Sequence, residues 1–219
     1  GNDSAVARMV SAPKTRVAQH CTANIFGYFS NLGIDEFQWY YGHGVAGGAI
    51  PTNDGLTCVF TSLSPERYRA LEGRYFEGYL EALAEMQPEL ARRVGVQKPV
   101  RGLRRFAGVP GFLRKCVGPG WALVGDAGYF KDPQTAHGIT DAFRDAELLA
   151  TALAEGREPA LRGYEETRDQ LSGRFFEITD EVASLTWNHE RLKVLHYQLA
   201  EEMKHEARWL GNLDAAIAA

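Results

Sequence analysis

Trp121-Ala122-Leu123-Val124-Gly125-Asp126-Ala127-Gly128 is the stretch on which the reading of the fold turns. Four apolar residues run into a glycine and an acid, the pattern of a buried strand that delivers a carboxylate at its carboxyl end. A loop containing Pro133 follows, and Gly138 opens a helix that reaches Glu155, with Ile139, Ala142, Phe143, Ala146 and Leu149 on one face. Gly156 stands just past its end as a carboxy-terminal cap. Strand, loop and helix in that order place Asp126 where open α/β sheets bind ligands. A carboxylate there accepts hydrogen bonds from ligand hydroxyls, while the helix amino end presents free N–H groups and about half a positive charge. The same residues also fit a plainer role, with Asp126 capping a turn and the glycines punctuating a loop.

The flanking segments give the rest of the architecture. Residues 3–11 read as a short helix capped by Asp3 or Ser4 and closed by Pro13. Three aromatic and β-branched runs, 25–29, 37–41 and 56–60, read as strands, with Asn53-Asp54-Gly55 as a hairpin turn. Ser64-Pro65-Glu66 opens a helix expected to run to Met86 and to be broken by Pro88. Residues 94–117 return to strand and loop, and 159–209 are nearly all helical by pattern, with a fraying tail over 214–219. The fold class expected is α+β with α/β-like character.

Composition narrows the function. The 219 residues are 45% hydrophobic and 24% charged with a net charge of −4, which excludes disorder and offers no basic stripe for nucleic acid. No apolar run approaches the roughly 20 residues of a membrane span, and no signal peptide is visible. Cys21, Cys58 and Cys116 are odd in number and lack a CxxC pair, so they read as reduced, small buried residues of a cytoplasmic protein. The six histidines show neither HxxxH nor HExxH spacing, so no metal site is expected.

Gly42-His43-Gly44-Val45-Ala46-Gly47 matches GxGxxG after a strand, and Glu66 lies about 20 residues on, where a ribose-binding acid would stand. A dinucleotide site needs a helix to open at the third glycine. Here Gly48-Ala49-Ile50-Pro51 follows, and Ile50 before proline is pushed out of helical geometry. The motif reads as a glycine-rich hairpin.

The run from Gly125 to Ala150 resembles the Gly-Asp motif of class A FAD-dependent monooxygenases, the p-hydroxybenzoate hydroxylase-like flavoproteins. Gly125-Asp126-Ala127, Pro133, Gly138 and Asp145-Ala146-Glu147-Leu148-Leu149-Ala150 fall in register, while Ala136 replaces a customary glycine and Thr140 a customary asparagine. The resemblance implies that Asp126 binds the ribityl hydroxyls of FAD and that Pro133 lies against the isoalloxazine ring. It implies too that the backbone at Ala136-His137-Gly138 faces the pyrimidine edge. The segment Gly1 to Arg8 resembles the family's Asp-Gly motif without its leading aspartate, near the flavin and the NAD(P)H route, although Ser4 as a helix cap explains it equally well. The family's GxGxxG strand would precede Gly1.

On this reading residues 1–20 and 119–156 are remnants of a cofactor domain, 21–118 a substrate-domain sheet with its covering helix, and 157–219 a helical end. Tyr28, Trp39, Tyr41 and Phe60 become candidate walls of an apolar pocket for a small aromatic or other apolar substrate, although any one such aromatic is more often simple core. In a complete family member NAD(P)H reduces FAD, and the reduced flavin with oxygen hydroxylates the substrate; wider relatives reduce double bonds or halogenate. No catalytic residue is assigned. The isolated chain is expected to be inactive, with a non-catalytic binding module as the alternative. Without the central strands, the run at 121–124 and the apolar face of the 138–155 helix would be exposed and would favour a homodimer.

Overall fold

The computed structural model describes residues 1–156 and 158–217. It divides into two compact units, one of residues 1–20, 110–183 and 189–219, the other of residues 21–109 and 184–188. Helices and antiparallel strands mix in one chain, an α+β architecture.

The second unit is built on a five-stranded sheet of β2 (Ala23–Ser30), β3 (Gln38–Gly42), β4 (Val45–Pro51), β5 (Leu56–Leu63) and β6 (Arg104–Phe106), in the order β3-β4-β5-β2-β6. Period-two alternation sets its two faces. Ile25, Phe29, Val45, Val59 and Leu63 pack into a core with Tyr79, Leu83, Leu90 and Val94 of the covering helices. Tyr79 is fully buried and its hydroxyl donates to the Val59 carbonyl at 3.1 Å, so its polar end is satisfied where a helix meets the sheet.

The expected single helix from Pro65 to Met86 is two, α2 (Pro65–Ala70) and α3 (Tyr75–Met86). Gly73 at φ 78° makes the break, a conformation that ends a helix. Ser64 caps α2, its hydroxyl accepting from the Arg67 N–H at 3.2 Å. Pro88 does not simply terminate; at the first position, where its missing N–H costs nothing, it starts α4 (Pro88–Gly95).

The GxGxxG segment is a hairpin, with Gly42 paired to Val45 across the β3–β4 turn and Gly44 at φ 68°. Gly47 lies against the β5 backbone, where a Cβ would stand 2.5 Å from the Phe60 carbonyl oxygen. Asp54 and Gly55 both take positive φ at the β4–β5 connection, as the turn chemistry requires.

The first unit holds α1 (Ala5–Met9), capped by Ser4, and a small antiparallel sheet of β1 (Lys14–Val17), β7 (Phe112–Arg114) and β10 (Tyr129–Phe130) in the order β1-β7-β10. Residues 110–118, expected with the substrate sheet, lie in this unit because β7 pairs with β1 and β10. Three long helices follow: α5 (Gly138–Glu155), α6 (Glu158–Ala183) and α7 (His189–Ile217). α5 has the expected bounds and ends at Gly156 with φ 67°. α7 runs through the segment expected to fray as far as Ile217; residues 218–219 lie outside the described residues.

One expectation fails in this unit: the run Trp121–Val124 is not one buried strand. Only β9 (Trp121–Ala122) is extended, in an antiparallel hairpin with β8 (Val117–Gly118); Leu123 is buried and Val124 is 37% exposed. On α5 Ile139 and Phe143 are 77% and 74% exposed, as expected of its apolar face without the central strands, while Leu149 packs on the core and Asp141, Arg144, Asp145, Leu148 and Ala152 point in. Helical periodicity defines a stripe, and partners elsewhere in the chain decide which stripe is buried. No described helix is long and apolar enough to cross a membrane.

Gly47→Ala tests the hairpin packing. The Met86 side chain can move away from an added methyl but the Phe60 carbonyl cannot, so a loss of about 1–3 kcal/mol is expected in urea unfolding. A neutral substitution contradicts the close approach of β4 and β5.

Candidate functional site

The loop between Gly125 and Gly138 is assembled from both ends. Gly125 (φ 52°) opens a single 3-10 turn, Gly125–Ala127, in which Asp126 is half-buried. At the other end His137 is the residue before α5 and makes no side-chain cap, so the first amide groups of an 18-residue helix lack a capping oxygen. The two ends meet: a Cβ placed on Gly138 would be 3.7 Å from Asp126 Oδ1. Between them Asp132 is buried and accepts from the Gln134 N–H at 3.0 Å, starting a second 3-10 turn, Pro133–Thr135. Pro133, Ala136 and Gly138 are exposed. Ala136 sits at φ 49°, ψ 30°, a left-handed position that glycine fills without strain, which accounts for the customary glycine there.

Beneath this loop lies a buried ionic cluster. Arg144 donates from Nη2 and Nε to Asp145 Oδ1 at 2.7 and 3.1 Å, from Nη1 to Glu206 Oε1 at 2.7 Å and to Asp141 Oδ1 at 3.2 Å, and from Nη2 to Ser172 Oγ at 3.0 Å. Asp145 Oδ2 accepts from the Gly125 N–H at 3.0 Å, and Glu206 Oε2 lies 2.7 Å from His137 Nε2. The His137 ring also stacks on Phe175, with centroids 4.7 Å apart. Lys131 closes the set by an ion pair to Asp141. One guanidinium thus links Gly125 at the start of the loop to His137 at its end.

Burial tends to raise the Glu206 carboxyl, but the His137 hydrogen bond and the Arg144 charge outweigh it and hold the group below its ordinary value. Burial, with Arg144 nearby, pushes the Lys131 ammonium down to about 7 against the pull of Glu206, Asp145 and Asp126. Ligand atoms of His137, Asp141 and Glu206 lie within 4.8 Å of one another. Their carboxylates already face Lys131 and Arg144, so a divalent cation would have to displace two buried positive groups.

Arg8, the remaining cofactor-binding candidate, is placed otherwise: it pairs with Asp3 on its own segment and has no partner in the 125–138 loop among the described residues. A cavity of about 820 Å³ lies at the carboxyl end of α5, lined in part by Val117, Pro119, Leu153 and Leu161, and includes none of the loop residues.

The four aromatic candidates belong to the second unit and are brought together. Tyr28, Trp39, Tyr41 and Phe60 all project from the sheet face opposite the covering helices, because they alternate with the core residues of their strands. Trp39 stands edge-on to Phe60 at 5.5 Å and Tyr41 to the buried Trp187 at 5.7 Å. Burial pushes the Tyr41 hydroxyl up to about 12.

The chain, with its antiparallel sheets and helices, has the fold of FAD-dependent monooxygenases and halogenases over part of their length. Among solved structures it is similar to the flavin-dependent brominase Bmp2 (triple mutant; TM-score 0.69, 15% identity, 98% of this chain and 60% of that one). It is also similar to HpxO of Klebsiella pneumoniae complexed with FAD and uric acid (0.64, 18%, 93% and 54%) and to PqsL of Pseudomonas aeruginosa in complex with 2-aminobenzoylacetate (0.65, 20%, 91% and 55%). The chain therefore spans a little over half the length of these proteins. No protein-family model matches the sequence, and no curated protein matches it.

Two substitutions probe the cluster. Arg144→Met leaves three buried carboxylates with less compensation, and a loss of about 3–5 kcal/mol is expected in chemical unfolding. Glu206→Gln is expected to destabilise at pH 7, with the gap to the unsubstituted protein closing as pH falls below the ordinary carboxylate value of 4.5, because a depressed carboxyl loses its contribution as it protonates. A gap that stays constant to acid pH contradicts the charged role of Glu206.

Proposed function

We propose that this chain is part of an FAD-dependent oxidoreductase, a cytoplasmic NAD(P)H-using monooxygenase that hydroxylates a small aromatic or other apolar substrate. The observation that carries the reading is the Gly125–Gly138 loop, exposed at Pro133, Ala136 and Gly138, where the Asp126 carboxylate stands beside the uncapped amino end of α5. These groups fit a flavin: a carboxylate to accept from ribityl hydroxyls, and free helix amides to meet an electron-rich ring edge. Buried Gln134 adds a donor, Nε2, that has no hydrogen-bond partner in the loop itself or elsewhere among the described residues.

FAD, when bound, supplies the redox chemistry. The protein's share is positioning and electrostatics. Asp126 would hold the ribityl chain, Pro133 would lie against the ring, and the backbone at Ala136, His137 and Gly138 would turn the positive end of α5 toward the pyrimidine edge, favouring negative charge there. The aromatic face of Tyr28, Trp39, Tyr41 and Phe60 takes the substrate. Flavin-dependent halogenation is the second reading, favoured by the likeness to Bmp2. A non-catalytic module binding apolar ligands on the same face is the third.

The GxGxxG nucleotide-binding portion belongs, on this reading, to sequence outside these 219 residues, and the isolated chain purifies colourless. Stoichiometric FAD on the isolated chain contradicts that. In the protein carrying the nucleotide-binding portion, Asp126→Ala is expected to weaken FAD binding at least tenfold by equilibrium titration; unchanged affinity removes the assigned role. The exposed Ile139 and Phe143 are covered in the isolated chain by a second copy. Sedimentation is expected to show a dimer that Phe143→Glu converts to monomer, and a monomer at high concentration without the substitution contradicts this.

A further inference from the structure

A one-sided run of charge lies along the edge of the sheet unit. From Leu90 to Gly125 the sequence has no acid, in a chain whose net charge is −4. Arg92, Arg93, Lys98, Arg101, Arg104 and Arg105 crowd into the first part of that run. Arg92 is paired with Glu89, and the Arg105 guanidinium lies over the Tyr75 ring at 3.9 Å. Lys98 and Arg101 are exposed, and their side chains have no hydrogen-bond or ion-pair partner among the described residues.

These two bases stand in the link between α4 and β6, which is built of two consecutive turns. The Gln97 N–H donates to the Val94 carbonyl at 3.1 Å, and the Gly102 N–H to the Pro99 carbonyl at 3.1 Å. Val96 lies at the tip of the first turn, and Val100 and Arg101 at the tip of the second. Val96 is 80% exposed and Val100 53%. The other side of the link is fixed to the sheet. The Val100 N–H donates to the Tyr28 carbonyl at 2.9 Å, and Leu103 packs against the core. Pro99 and Leu103 close on Gly27, where a Cβ would stand 3.0 and 3.1 Å from their side chains. The backbone thus holds the two valines outward, with Lys98 between them in sequence and Arg101 beside the second.

We propose that this link, residues 96–101, is a peripheral docking site for an anionic membrane surface. Val96 and Val100 enter the boundary between headgroups and acyl chains, while Lys98 and Arg101 stay at the lipid phosphates. Two protruding valines do not supply the roughly 800 Å² per partner, centred on aromatic residues, of a stable protein interface. A soft surface of negative charge over hydrocarbon accepts isolated apolar tips flanked by bases, and it supplies the counter-charge that Lys98 and Arg101 lack. Docking of this kind needs no helix that crosses the bilayer, and it is independent of the flavin reading.

The test is co-sedimentation of the 219-residue chain with vesicles of phosphatidylcholine and phosphatidylglycerol in equal parts. Vesicles of phosphatidylcholine alone and soluble polyglutamate serve as comparisons. The mixed vesicles are expected to bind at least about tenfold more tightly than the neutral ones, with the difference shrinking as salt is raised. Lys98→Glu should remove most of that preference. Lys193→Glu, the same change of charge on exposed α7, should leave it intact. Val96→Ser combined with Val100→Ser should weaken vesicle binding while leaving the net charge unchanged. Equal binding to the two kinds of vesicle, binding to neither, or equal losses from Lys98→Glu and Lys193→Glu overturns the proposal. Binding to polyglutamate as tight as to the mixed vesicles, with no effect of the valine substitutions, also overturns it and points to an acidic protein partner.

Discussion

The guanidinium of Arg144 is the interaction on which the helical unit depends. It is buried with three carboxylates and a hydroxyl around it, contributed by α5, α6 and α7. Removing so many charged groups from water is costly unless each finds a partner, and here each carboxylate does. The consequence reaches the surface. Asp145 holds the Gly125 amide and Glu206 holds the His137 ring, so both ends of the Gly125–Gly138 loop are pinned from below while Pro133, Ala136 and Gly138 face outward. Anchors of this kind set the conformation of a loop from within the fold.

The cluster also explains why α5 turns an apolar stripe to solvent. With Asp141, Arg144 and Asp145 directed inward, Ile139 and Phe143 have no choice but the opposite side. The ends of this helix were legible in the sequence, since Gly138 and Gly156 bracket it and glycine at its carboxyl end takes the left-handed turn. Its buried face was not. The apolar positions 139, 143 and 146 form as good a stripe as the charged positions 141, 144 and 145, and the arbiter is Glu206, 69 residues from His137 and on another helix. One signal was present: three charges at helical spacing on a single face, an arrangement that calls for buried partners as well as for solvent.

In the sheet unit, alternation carried more of the answer. Strands at 25–29, 37–41 and 56–60 were readable from their aromatic and β-branched runs, and the failed GxGxxG was readable as a hairpin from Ile50-Pro51. That Tyr28, Trp39, Tyr41 and Phe60 share one face needed the register, which the turn at Asn53–Gly55 fixes and a single-residue slip would reverse. The short strand β6 was hidden in a stretch of glycine, proline and arginine. The compact run at 121–124 misled for a related reason. A strand reads as central when apolar on both faces, yet hairpin pairing with Val117–Gly118 accounts for only two of its residues.

The buried cluster thus anchors both ends of the Gly125–Gly138 loop from within the fold. Amide hydrogen exchange at Gly125 tests this most directly, because its N–H is bonded to Asp145 rather than to another backbone group. The account predicts protection comparable to that of the inward face of α5, and its loss in Glu206→Gln, where the chain of contacts is weakened at its far end. Exchange at Gly125 as fast as at an exposed loop amide in the unsubstituted protein would contradict it.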